Sequence, residues 1–211
     1  MTTPDYDAIV IGSGPNGLAA AIVMQQQGVS VLLIEAKKTI GGGMRTEELT
    51  LPGFRHDICS AVHPMAAGSP FFQTLPLQRF GLEYIHPPVC AAHPLDDGSA
   101  GALYPSIEKT IKSLGADGNA YRKLMEPVVR DWPSICPDVL APLHVPSYPL
   151  KMAAFGLKAM SAATALAKRF HTAKGRALWA GMAAHAVQPL SNLTTSAIGL
   201  VLMSAAHLHG W

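Results

Sequence analysis

Cysteine is scarce. The 211-residue chain has three, Cys59, Cys90 and Cys136, far apart. No Cys-x-x-Cys pair exists, so a zinc ribbon and a dithiol redox centre are excluded. Three free thiols in a reducing compartment, the cytoplasm, are expected. Charge is also scarce: 14% of residues are charged and the net charge is +2. No run of five Lys or Arg occurs, which argues against a nucleic-acid partner. No apolar run reaches the roughly 20 residues of a bilayer span, and the most apolar late segment, Ser196 to Leu208, is too short. The opening MTTPDYDAIV has neither a basic region nor a long apolar run, so no secretory leader is expected. No GxSxG or Cys/His signature supports a nucleophile. Nine histidines invite a metal reading. Only His207 and His209 lie close together, and no third ligand falls at metal spacing, so no metal is expected. His185, on the apolar face of a helical pattern, reads as a hydrogen-bonded core histidine.

What is abundant is apolar side chain, 49% of the total. A globule of this length buries roughly 70% of its unfolded surface, enough for one large domain or one domain plus part of another. The order begins as βαβ. Ala8 to Ile11 is a short apolar run, expected as a buried parallel strand. Pro15 to Gln27 reads as a helix with Ala19, Ala20 and Val23 on its inner face, stopped by Gly28. Val29 to Ile34 reads as the second parallel strand.

After Glu35 the periodicity ends. Residues 64 to 100 are broken by six prolines and are expected to hold only short strands and loops. Asp97-Gly98 marks a hairpin turn between Cys90–Ala92 and Ala102–Tyr104. From Ser106, a helix cap, the pattern turns helical. Asn119 is expected to cap a second helix with Tyr121, Leu124, Met125, Val128, Val129 and Trp132 on one face, kinked or divided by Pro127. Residues 133 to 149 read as a proline-rich connector. Leu150 to Phe170, Gly175 to Ala186 and Ser196 to His207 read as three more helices. The fold class is therefore α/β: a Rossmann-like start over residues 1–105, then a mainly helical part over 106–211.

The segment Gly12-Ser13-Gly14-Pro15-Asn16-Gly17 satisfies GxGxxG, after a strand and at the start of a helix. Gly12 permits the tight turn, Gly14 lets backbone approach a diphosphate, and Gly17 lets helix and strand pack closely. The helix N-terminus offers free N–H groups and about half a positive charge to the anion. Glu35 ends the second strand, 18 residues past Gly17. Its carboxylate can accept from the hydroxyls of an adenosine ribose and would repel a 2′-phosphate, which disfavours NADP. The motif alone does not separate NAD from FAD. Close behind comes Ala36-Lys37-Lys38-Thr39-Ile40-Gly41-Gly42-Gly43-Met44-Arg45-Thr46, with a second glycine cluster for backbone contact.

At these residues the sequence resembles the FAD-dependent oxidoreductases of the amine oxidase superfamily, in their phytoene desaturase-like branch. The matching positions are Gly12, Gly14, Gly17, Glu35, Gly41, Gly42 and Thr46, with Gly53-Phe54 and Asp57 beyond. The likeness is strong over residues 6 to 60, weaker over 80 to 130, and returns from Ala177 to Trp211. It departs at Gly43, where many relatives have Arg, and at Cys59, where they often have Gly. The resemblance implies FAD, held through Gly12, Ser13, Gly14, Pro15, Asn16, Gly17, Glu35 and Ala36 on the adenosine diphosphate side. Gly41, Gly42, Gly43, Met44, Arg45 and Thr46 are implied toward the flavin. It also implies hydride transfer from an apolar substrate to the flavin. The catalytic residues are not legible.

Such proteins close their FAD fold with a C-terminal return to the first domain, so the chain reads as an N-terminal portion. Two alternatives stand beside an active oxidoreductase. One is a catalytically incomplete or scaffolding chain that pairs through apolar helices, with itself or with a missing C-terminal half. The other is an NAD-linked dehydrogenase domain. The helix Leu150–Leu166, flanked by Lys151, Lys158, Lys168 and Arg169, suits either a core or partner face or a membrane surface.

Overall fold

The computed structural model describes residues 5–211; the first four residues, part of the stretch read for a leader, lie outside them. Packing divides the chain into two compact units, one reaching to His63 and one spanning Pro64–Trp211. The sequence places its change of character near residue 105. That is a change of secondary structure, whereas packing divides the chain at residue 63.

The first unit opens as β1 (Ala8–Ile11), α1 (Pro15–Gln26) and β2 (Val31–Ile34). The strands run parallel, with Ala8 opposite Val31 and Ile11 opposite Ile34, as the βαβ pattern requires. Pro15 sits in the first turn of α1, where its missing N–H costs nothing. Gly28, at φ +83°, lets the chain turn out of the helix. The expected inner face of α1 is wrong in two places: Ala20 and Val23 are exposed. Leu18, Ala21 and Ile22 instead line a groove of about 300 Å³ with Val31 and Leu33. Nor is β1 buried. Ile9 and Ile11 are 60% and 85% exposed; the described sheet has two strands, and no described residue of this unit covers these two side chains. Two further strands, β3 (Thr46–Glu47) and β4 (His56–Asp57), pair antiparallel. In this unit, among the described residues, the only fully buried residue is Ser13.

The second unit holds the core. It starts with two single-turn helices, α2 (Pro64–Ala67) and α3 (Pro70–Gln73). These correct the expectation of strands and loops: Pro64 and Pro70 open the turns rather than break them. The hairpin β5 (Ala91–Pro94) and β6 (Ala100–Leu103) pairs Ala91 with Leu103, and Asp97-Gly98 lies in its turn. Next come α4 (Ile107–Ser113), α5 (Gly118–Val139), α6 (Pro149–Ala159), α7 (Ala163–Ala167), α8 (Ala173–Ala183) and α9 (Thr195–His209). Ser106 caps α4 by accepting from the Lys109 N–H at 3.3 Å.

Helix α5 departs from the sequence reading. It starts at Gly118, not after an Asn119 cap, and runs 22 residues through Pro127, Pro133 and Pro137. Tyr121, Leu124, Met125, Val128, Trp132, Ile135 and Cys136 form its buried stripe. Each large side chain buried contributes about 1.5–3 kcal/mol, which outweighs the bonds the prolines forgo. Pro133 and Pro137 lie on the exposed side. The helix expected over Leu150–Phe170 is two helices. At the break Ala163 N–H donates to Thr195 Oγ1 at 2.8 Å, and Thr194 N–H donates to the Met160 carbonyl at 3.2 Å. These bonds from the start of α9 replace helical ones.

Three polar ties hold the bundle. Asp117, fully buried, accepts from the His171 and Thr172 N–H groups at 2.8 Å each and from the Thr172 hydroxyl. Burial pushes its carboxyl up, but these bonds prevail and hold it below the ordinary carboxylate range. The Trp179 indole N–H donates to the Ala163 carbonyl at 2.8 Å. The Tyr121 hydroxyl lies 2.6 Å from His207 Nε2, and His207 Nδ1 lies 3.1 Å from the Pro105 carbonyl. A carbonyl only accepts, so Nδ1 carries the proton and tyrosine donates to Nε2. His185 is exposed rather than a core histidine. Helix α8 ends at Ala183, and His185 falls in a short 3-10 turn beyond it, edge-on to Trp211.

Candidate functional site

The glycine loop lies between β1 and α1. Gly12 adopts φ +96°, and its N–H donates to the Ile34 carbonyl at 2.7 Å, tying the loop to the end of β2. A Cβ on Gly17 would strike the Gly12 carbonyl oxygen, so glycine there is what lets α1 approach the strand. A Cβ on Gly14 would meet nothing within 4 Å: that side of the loop is open, as close approach of a diphosphate needs. No side chain caps α1, which leaves its first-turn donors to an anion. Asn16 is exposed and Pro15 half-buried in that turn.

Glu35 is beside this loop. One carboxylate oxygen accepts from the Ser13 N–H at 2.9 Å and from its hydroxyl at 2.5 Å; the other accepts from the Lys37 N–H at 2.9 Å. The Ser13 hydroxyl, followed by the Ser13 and Lys37 amides, draws the carboxyl down to about 2. The group is therefore a carboxylate throughout the neutral range. The oxygen facing Lys37 keeps acceptor capacity for a further donor. Ala36 beside it is exposed.

The second glycine loop is carried onto the first. Gly41 N–H donates to the Ser13 carbonyl at 3.0 Å. Gly42, at φ +56°, comes so near that a Cβ there would sit 2.8 Å from Gly14 Cα. Ser13 thus ties three segments together. The sequence reading places Ser13 among the residues on the adenosine diphosphate side, but not as a tie between loops. Its burial and three-way bonding depend on tertiary approach, which no local pattern reports.

The remaining expected residues take other places. Gly43 lies against Cys59, its would-be Cβ 3.6 Å from the cysteine Cβ, so two departures from the family pattern are neighbours. Met44 is partly exposed. Arg45 folds back, donating from Nε to the Gly42 carbonyl at 2.9 Å, with Glu47 at 3.9 Å. The Thr46 hydroxyl donates to Asp57 at 2.7 Å. The structure brings Gly12–Gly17, Glu35 and Gly41–Gly42 together as one surface, and it uses Arg45 and Thr46 to brace the loop that follows.

Residues 10–75 match the NAD(P)-binding Rossmann-like domain family. This part of the chain is similar to that family, and its βαβ start has the Rossmann-like fold. The chain is also similar to longer proteins. A limonene dehydrogenase subunit from Castellaniella defragrans is 34% identical over 108 residues, which is 51% of this chain and 19% of that protein. The mouse pyridine nucleotide-disulfide oxidoreductase domain-containing protein 2 is 34% identical over 125 residues, 57% of this chain and 20% of the relative. The chain thus spans about a fifth of the length of these relatives. Putrescine oxidase shares the fold, with a TM-score of 0.52 and 21% identity over 93% of this chain and 41% of its own. A variant of that enzyme gives 0.54 and 20%, over 97% and 45%.

Proposed function

We propose that the chain is the dinucleotide-binding portion of an FAD-dependent oxidoreductase of the phytoene desaturase-like branch, one that passes hydride from an apolar substrate to flavin. The observation that carries this reading is the seating of Gly41–Gly42 on Gly14. A single glycine loop suffices for one diphosphate. A second loop delivered to its edge offers backbone further along a long dinucleotide, toward the flavin. On this reading Gly12, Ser13, Gly14, Pro15, Asn16, Gly17, Glu35 and Ala36 hold the adenosine diphosphate, and Gly41 through Thr46 lie toward the ring. FAD would supply the hydride acceptor; the residues named bind and orient it.

The site is completed by further polypeptide, from the same or another chain. Ile9 and Ile11 stand exposed on the sheet, and the α1–β2 groove is lined by aliphatic side chains. A unit of this size without buried apolar side chains does not hold its own fold well. The relative that is one subunit of a dehydrogenase agrees with such pairing.

The test is an absorption spectrum of the purified chain, before and after adding FAD and desalting. Retained flavin bands that vanish in Glu35→Arg support the reading. Tight binding of NADH with no retention of FAD would replace it with an NAD-linked domain.

A further inference from the structure

We propose that two adjoining grooves around the turn between α7 and α8 bind a small soluble anion with two phosphoryl groups, one seated in each groove. No residue of the first unit takes part, so this site is independent of the dinucleotide surface.

The turn is fixed by the core beneath it. Helix α7 closes with the Arg169 and Phe170 N–H groups donating to the Leu166 and Ala167 carbonyls, at 3.0 Å each. The Phe170 side chain is buried in the core, and Asp117 holds the next two amides, of His171 and Thr172. Between these anchors Lys168, Arg169 and His171 are exposed. Two grooves meet at His171. Asn119, Lys123, Arg169 and His171 line one, of about 350 Å³. Thr164, Lys168, His171 and Arg176 line the other, of about 400 Å³. Each groove thus has one guanidinium, one ammonium and one neutral donor, and the two share an imidazole. A guanidinium can grip a phosphoryl group through two parallel N–H bonds, and an ammonium adds a point charge.

These cations lack counter-charges of their own. Other cations of α5 and α6 are paired: Arg122 with Glu108 at 2.8 Å, Arg130 with Asp131 at 3.2 Å and Lys151 with Asp131 at 3.6 Å. Among the described residues, no carboxylate oxygen lies within 4.0 Å of Lys123, Lys168, Arg169 or Arg176. Asp117, under His171, is buried and its carboxylate already accepts three hydrogen bonds. Past Asp138 the chain has six Lys and Arg and no Asp or Glu, so this end of the fold supplies no acid to the grooves. A neighbour feels the excess: burial, and after it the Arg169 charge, disfavours the charged form of Lys158 on α6. An anion in the grooves relieves this mutual repulsion. Each groove brings three separate donor groups and the shared imidazole together. That set suits the three oxygens of a phosphoryl group better than the two of a carboxylate.

The test is titration calorimetry of the whole chain with pyrophosphate and, separately, with inorganic phosphate, at one fixed ionic strength. Pyrophosphate should bind at least about tenfold more tightly, because one ion engages both grooves. Arg169→Gln and Arg176→Gln should each lower its affinity about fivefold. Arg79→Gln removes an exposed cation of the same unit that lines neither groove, and should leave the affinity within about twofold. All three side chains are exposed, so circular dichroism should be unchanged. The glycine loop also offers donors to a diphosphate, and the arginine variants separate the two places. Pyrophosphate binding that is absent, or unchanged when Arg169→Gln and Arg176→Gln are combined, overturns the proposal. So does equal affinity for phosphate and pyrophosphate, or an equal loss in Arg79→Gln. A chain that sediments with phosphatidylglycerol vesicles yet ignores pyrophosphate overturns it too, since the cations would then serve a surface rather than a soluble ligand.

Discussion

Adjacent glycines in the second loop carry opposite expectations. Gly42 sits at φ +56°, and an added Cβ would lie 2.8 Å from Gly14 Cα and 3.5 Å from Gly14 N. Both neighbours are backbone and cannot swing aside. An L-residue held in the left-handed region costs roughly 1–2 kcal/mol, and the forced shift brings the total for Gly42→Ala to about 1–3 kcal/mol. Gly43 is different: its Cβ would meet Cys59 at 3.6 Å and 3.8 Å, ordinary contact. Titrating FAD into the chain and following quenching of flavin fluorescence reads the difference. Gly42→Ala should weaken binding about 5- to 150-fold, while Gly43→Ala should stay within about twofold. A parallel denaturant titration shows whether part of the cost appears as lost stability instead. If Gly42→Ala bound and unfolded like the unaltered chain, the second loop would not rest on Gly14, and the argument for a long dinucleotide would fall.

Two other perturbations probe the helical unit. Asp117→Ala leaves three donors without their acceptor and should cost about 2–4 kcal/mol in urea unfolding. Because the folded carboxyl sits below 3.8, its contribution should be present above that pH and fade as acid titrates through the lower folded value; an unchanged acid limb in the alanine variant would contradict this. Tyr121→Phe should cost about 1–3 kcal/mol by stranding His207 Nε2. Burial lowers the His207 value below 6.5. The unfolded chain therefore takes up that proton first, and stability should drop as pH falls below 6.5. Proton NMR of the imidazole checks the sign.

The parts legible in sequence are those set by neighbours along the chain. The βαβ order, the turn at Gly12, the stop at Gly28 and the cap at Ser106 each follow from a few adjacent residues. The parts missed are set at a distance. Pro127 sits within one helix because Trp132 and Tyr121 are buried by other helices. The break between α6 and α7 is made by Thr194 and Thr195, more than thirty residues on. Ile9 and Ile11 read as buried because an apolar strand normally has layers on both faces, and here no described residue of the unit covers them. Ser13 is legible as part of the motif but not as its hub.

That hub makes the two ends of the proposed dinucleotide surface one thermodynamic object. Ser13 donates twice to Glu35 and accepts from Gly41. Whatever fixes the acid also fixes the second glycine loop, although the two lie in different stretches of chain. Changes at Glu35 and Gly41 therefore share a partner, and their free energies are coupled rather than additive. A ligand fragment that reaches only the ribose position already spends part of the entropy of ordering the distant loop. The second half of the molecule then binds a surface that the first half has prepared.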